Sequence, residues 1–85
     1  MSAPRVRLLL FAAARETAGG SSFDRQAATL GDLLAQAAAD FGPDFAAVLG
    51  TARVWVNGDE PESGGATPLR DGDEIAVLPP VSGGS

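Results

Sequence analysis

Apolar positions recur along this chain with two different periods. From Arg5 to Phe11 they alternate: Val6, Leu8 and Leu10 fall on one side of an extended segment, and Arg7, Leu9 and Phe11 on the other. Apolar residues on both sides predict a central strand, partly covered on each face. The alternation breaks across Ala12 to Gly20, and Gly19-Gly20-Ser21-Ser22 marks a turn. Phe23 to Ala28 reads as a short second strand returning antiparallel to the first.

The period then lengthens. Leu30, Leu33, Leu34, Ala37, Ala38 and Phe41 form one continuous apolar stripe at helical spacing, which predicts a helix over 29–41. Thr29 suits its N-cap, and Asp32 sits near the positive end of the helix dipole. Gly42-Pro43 stops it. Asp44 to Leu49 is a candidate second, short helix, capped by Asp44 and ended by Gly50.

Extended patterns return at Arg53 to Asn57, with Val54 and Val56 opposite Trp55, and at Glu74 to Leu78, with Ile75 and Val77 opposite Ala76 and Leu78. Asn57-Gly58 is a strong turn signal because both residues tolerate positive φ. Asp59 to Pro68 reads as loop and Asp71-Gly72-Asp73 as another turn. Pro79-Pro80 ends the last strand, since proline has no N–H for a ladder. One helix covering one face of a mixed four- to five-stranded sheet, with the first and last strands adjacent at its centre, is an α+β arrangement of β-grasp, or ubiquitin-like, type.

Composition narrows the picture. The 85 residues allow one domain, read as residues 1–80, followed by a flexible tail, Val81 to Ser85. No apolar run approaches the roughly 18 residues of a membrane span. Val6 to Ala14 is interrupted by Arg7 and closed by Arg15-Glu16 instead of a small-residue cleavage site. The expectation is a soluble, cytoplasmic protein with no membrane partner. The net charge of -5 argues against nucleic acid. It suits either solubility or docking on a basic protein surface.

The chain also lacks Cys, His, Lys and Tyr. Disulfides, thiolate metal sites and the commonest general base are therefore absent. Carboxylates, Arg, Ser and Thr remain, an inventory that argues against a self-sufficient enzyme and against a bound metal or cofactor.

The tail is the remaining candidate. Beyond Pro80 only Val81 is apolar, and Ser82-Gly83-Gly84-Ser85 has no side chain to anchor it. A Gly/Ser terminus can be merely a frayed end. Here, however, it leaves the last strand through a stiff Pro-Pro step. Four extended residues, Val81 to Gly84, reach about 13–14 Å, enough to enter another protein's active site. Paired glycines let a narrow channel close around the backbone.

Several segments, in order, carry a resemblance. They are Phe11-Ala12-Ala13-Ala14-Arg15-Glu16 with Gly19, Val56-Asn57-Gly58, Leu69-Arg70-Asp71-Gly72-Asp73-Glu74, and Leu78-Pro79-Pro80-Val81-Ser82-Gly83-Gly84. Together they resemble the MoaD/ThiS family of sulfur carriers, and within it the MoaD branch. The resemblance implies that an E1-like activating enzyme of the MoeB/ThiF type uses ATP to adenylate the carboxylate of Gly84. It implies that a sulfurtransferase then converts it to a thiocarboxylate, and that the sulfur passes to a pterin precursor in a MoaE-like large subunit. Gly84 matches the modified glycine and Gly83 its neighbour. Phe11, Arg15, Leu78 and Pro80 fall where the resemblance implies a partner interface. A same-chemistry carrier for thiamine, cysteine or secondary-metabolite sulfur, or a ubiquitin-like modifier, remains an alternative.

Ser85 departs from the family ending. Either a protease trims it, or it is a residue added to the natural chain, or the tail is not activated. Trimming between Gly84 and Ser85 is the expectation taken.

Overall fold

A computed structural model describes residues 3–80. The Val81–Ser85 tail, and with it the expected tail-insertion and processing positions, lies outside the described residues. Four strands build one sheet in the order β2-β1-β4-β3: β1 (Arg5–Leu10), β2 (Ser22–Gln26), β3 (Arg53–Val56) and β4 (Glu74–Leu78). β1 and β4 run parallel at the centre, pairing Arg7 with Glu74 through Leu10 with Val77. β2 and β3 add antiparallel edges. The mixed α+β sheet with adjacent first and last strands is the expected β-grasp arrangement.

Strand parity decides the core. Val6, Leu8, Leu10, Ile75 and Val77 are buried on one face, beneath Leu30, Leu33 and Ala37 of helix α2 (Leu30–Phe41). Thr29 caps α2 as expected, its hydroxyl accepting from the Asp32 N–H at 3.2 Å. A second helix, α3 (Pro43–Leu49), follows at once. Its cap is Gly42, with Pro43 in the first turn, and not Asp44 as the sequence suggested. Its Phe45 is fully buried and meets the Phe41 ring edge-on, centroids 5.0 Å apart. On its far side Phe41 meets Phe23 at 4.9 Å and carries the Arg25 guanidinium over its ring. Arg25 also pairs with Asp40.

Two further expectations needed correction. Ala12 to Ala18, read only as a break in the pattern, is a helix (labelled α1), and it packs against α3. Only Ala14 of it is buried, so it carries no apolar stripe. β2 ends at Gln26 instead of Ala28, because Ala27 turns into the core and the Ala28 carbonyl accepts from Leu69 N–H.

The 59–68 loop, which contains a 3-10 turn at Gly64–Ala66, is tied to the start of α2. Leu30 N–H donates to the Thr67 carbonyl at 2.9 Å, and a Cβ at Gly31 would meet the Gly65 carbonyl at 2.9 Å. Only glycine permits that approach. Asn57 and Gly58 both have positive φ, and Val56 and Asp59 exchange backbone hydrogen bonds across them. The Asn57 side chain donates to Asp73 and accepts from Glu74 N–H, fastening this turn to the start of β4.

Candidate functional site

The second sheet face is the candidate site, and the register assembles it. Leu9 lies beside Ala76, and Ala76 beside Trp55. One step further along β4, Leu78 pairs with Arg53. Phe11 continues the β1 parity two residues after Leu9, and its N–H donates to the Val77 carbonyl at 3.3 Å. Leu9, Trp55, Ala76 and Leu78 are half-buried and lie outside the core cluster, which occupies the opposite face. Phe11 is 44% exposed, the single large apolar side chain so exposed among the described residues. An exposed aromatic rimmed by half-buried aliphatic groups on a small domain marks a docking surface.

Charge divides this face lengthwise. At the start of β1 and β4 it carries Arg7 between Glu74 and Asp24, with an Arg7–Asp24 ion pair at 3.7 Å. At the other end it is apolar apart from Arg53 and Ser22. That apolar end is where β4 runs into Pro79 and exposed Pro80, so a partner seated on it stands next to the point from which the tail leaves.

Backbone geometry keeps Phe11 there. It is extended, with φ -126 and ψ 154, and caps α1 without a side-chain hydrogen bond. Ala12 then takes φ 50, a left-handed value unusual for a residue with a Cβ. The chain thereby turns sharply from strand to helix. Strain of this kind, about 1–3 kcal/mol, is tolerated where surrounding structure over-determines it.

Of the sequence-predicted site residues, the structure brings Phe11, Leu78 and Pro80 to one end of the sheet. Arg15 is exposed on α1 and makes no ion pair among the described residues. Val81, Ser82, Gly83, Gly84 and Ser85 lie outside them. Leu9, Trp55 and Ala76 were not singled out as site residues, although Trp55 stood alone at its parity in β3. Asp71 and Asp73 serve the turn: Asp71 accepts from Arg5 N–H and Asp73 from Arg70 N–H, each at 2.8 Å.

A surface cavity of about 720 Å³ lies at the far end of the sheet. Its lining mixes two arginines, Arg5 and Arg7, with three acids, Asp24, Asp71 and Glu74, so the charges largely offset one another. Among the described residues no group of His, Cys, Asp or Glu could hold a metal ion. No helix there is long and apolar enough to cross a membrane.

Comparison with known proteins adds four relations. The ThiS family profile matches residues 8–84. A molybdopterin synthase sulfur carrier subunit from Chlamydomonas reinhardtii is 36% identical over 86 residues, covering 94% of this chain and 99% of that protein. Among solved structures, small archaeal modifier protein 1 from Methanosarcina acetivorans superposes with a TM-score of 0.84 at 30% identity, covering 99% of each chain. A complex of subunits 1 and 2 of the molybdopterin-converting factor from Helicobacter pylori includes a chain at TM-score 0.68 and 29% identity, covering 94% of this chain and 99% of that one.

Proposed function

The chain belongs to the ThiS family, and from that membership we propose that it is a sulfur carrier, the small subunit of a molybdopterin synthase. The observation that carries the reading is the position of the exposed apolar sheet face, at the end of β4 where the chain runs into Pro79-Pro80 and the tail. The match to a sulfur carrier subunit over nearly the whole chain supports the pathway. The family match includes Gly84.

In this reading the domain binds and positions while partners supply the chemistry. The Gly84 carboxylate attacks the α-phosphate of ATP in an E1-like activating enzyme and displaces pyrophosphate. A sulfurtransferase persulfide attacks the acyl carbon and expels AMP. A thiol then cleaves the S–S bond and leaves the thiocarboxylate. The loaded tail enters a MoaE-like large subunit and gives its sulfur to a pterin precursor. The chain itself contributes no catalytic side chain and binds no cofactor.

Protein isolated from its native cells during active cofactor synthesis should contain a form ending at Gly84 with one oxygen replaced by sulfur. Intact-mass measurement before and after alkylation checks this. Complete absence of that species would overturn the reading.

Docking on the large subunit should depend on Phe11. Phe11→Ser is expected to raise Kd by at least about tenfold, in line with loss of an aromatic hot spot. Calorimetric titration measures it, while the circular dichroism melt should stay near that of the native chain. Unchanged affinity would remove Phe11 from the interface.

The structural likeness to small archaeal modifier protein 1 favours a second reading, a protein modifier attached through the same terminus. It predicts amide-linked conjugates on other proteins in place of a thiocarboxylate pool.

A further inference from the structure

An acyl adenylate or thioester at Gly84, the species on which the proposed function rests, is open to any nucleophile within reach. An amine that attacks the acyl carbon forms an amide, loses a proton and expels AMP or a thiol. Any carrier that is concentrated in its activated form therefore risks acylating itself or its neighbours.

This chain offers almost nothing for such a reaction. All six of its basic residues are arginine, and it contains no Lys, Cys, His or Tyr. A guanidinium stays protonated and presents no lone pair for attack. Hydroxyls remain, but they are weak nucleophiles unless a neighbouring base takes the proton. Neither His nor Lys is present to do so.

The structure engages three of the four threonine hydroxyls in local hydrogen bonds and buries the fourth. Thr17 donates to the carbonyls of Ala13 and Ala14, at 2.9 and 3.1 Å. Thr51 donates to the Val48 carbonyl at 3.1 Å. Thr29 is occupied in capping α2, and the Thr67 hydroxyl is buried. Ser21, Ser22 and Ser63 are exposed, with no base of the necessary type in the chain.

We propose that this chain is a one-way acyl donor: it can give up its activated C-terminal acyl group but cannot accept one on any of its own side chains. The acceptor must then be water, a sulfur donor, or an amine that is not one of its side chains: an α-amino group or an amine of a different protein. The proposal limits the modifier reading too, because polymers linked through side chains of this protein cannot form. Any chain of copies would have to be joined head to tail, through the α-amino group.

The test uses the chain ending at Gly84 as an alkyl thioester, prepared by thiol cleavage from an intein, with its α-amino group acetylated. Native protein is compared with Ala35→Lys and Ala47→Lys, both at exposed helical positions remote from the open sheet face. The samples are held at millimolar concentration at pH 8.5, where roughly 1% of a lysine amine is neutral. The lysine variants should form amide-linked dimers at least about tenfold faster than the native chain, which should only hydrolyse. Peptide mapping should place the new bond at residue 35 or 47. Native protein that builds linked species as fast as the variants, or variants that build no more than the native chain, would overturn the proposal. No activating enzyme takes part, so this outcome is separate from the thiocarboxylate measurement. A missing thiocarboxylate in cells would overturn the carrier reading and leave this result standing.

Discussion

Phe45→Ala is expected to cost about 3–5 kcal/mol of folding stability, the usual range for removing a buried ring. Phe45 is fully buried, and its ring is the endpoint of the Phe23–Phe41–Phe45 stack that joins β2, α2 and α3. In a domain this small the core is thin, and total stability is commonly only about 5–15 kcal/mol. At roughly 4–8 °C per kcal/mol for a domain of this length, the Tm should fall by about 12–40 °C. Urea melts should show a lower midpoint with an unchanged slope if the transition remains two-state. A Tm within a few degrees of native would mean that α3 is not part of the core. Phe11 supplies the contrast. With the same side chain 44% exposed, its truncation should change the Tm far less, and under the proposed function its effect should appear in partner binding.

That contrast also marks what could be read before the structure. The parity of β1 and β4 and the stripe on α2 were strong because each repeats over several residues and one period excludes the other. α1 went unread for a physical reason. Ala12 to Ala18 buries one residue and is held by helix propensity, by Gly19 at its end with φ 80, and by contact with α3. Run against a period, its alanines say nothing. Its best signal was the high helix propensity of the Ala-Ala-Ala-Arg-Glu run. The cap of α3 was misassigned to Asp44 although Pro43 pointed to a helix starting there.

The site divided in the same way. Parity alone put Phe11 and Leu78 opposite the core residues. It could not say that Trp55 and Leu9 flank the same alanine, because that depends on the pairing of strands separated by long loops. The division of the open face into a charged end and an apolar end was likewise invisible until the register was known.

In the chain ending at Gly84, Gly84→Ala is expected to leave folding unchanged and to lower sulfur loading or delivery roughly 100-fold, the scale of a misplaced reacting group. The buried core of the described residues is built from Val6 to Val77, and a chain terminus commonly contributes little to stability. The melt should therefore overlay that of the native chain. Under the proposed function the effect arises in the partner, where a Cβ would have to pass a channel that closes on glycine backbone, and where the acyl carbon would sit directly beside the added methyl. Adenylation by a cognate activating enzyme, followed by thiocarboxylate formation and synthase turnover, locates the step that fails. Normal synthase activity would refute tail insertion. The same assay decides the role of Ser85. Its presence moves the terminal carboxylate one residue further along the chain, about 3.3–3.6 Å if extended, which exceeds the tolerance of an in-line attack on phosphate. The chain ending at Gly84 should be adenylated directly, and the 85-residue chain only after a protease removes Ser85. Equal adenylation of both forms would eliminate trimming as a requirement, and the activating enzyme would then have to accept a carboxylate that carries a side chain beside it.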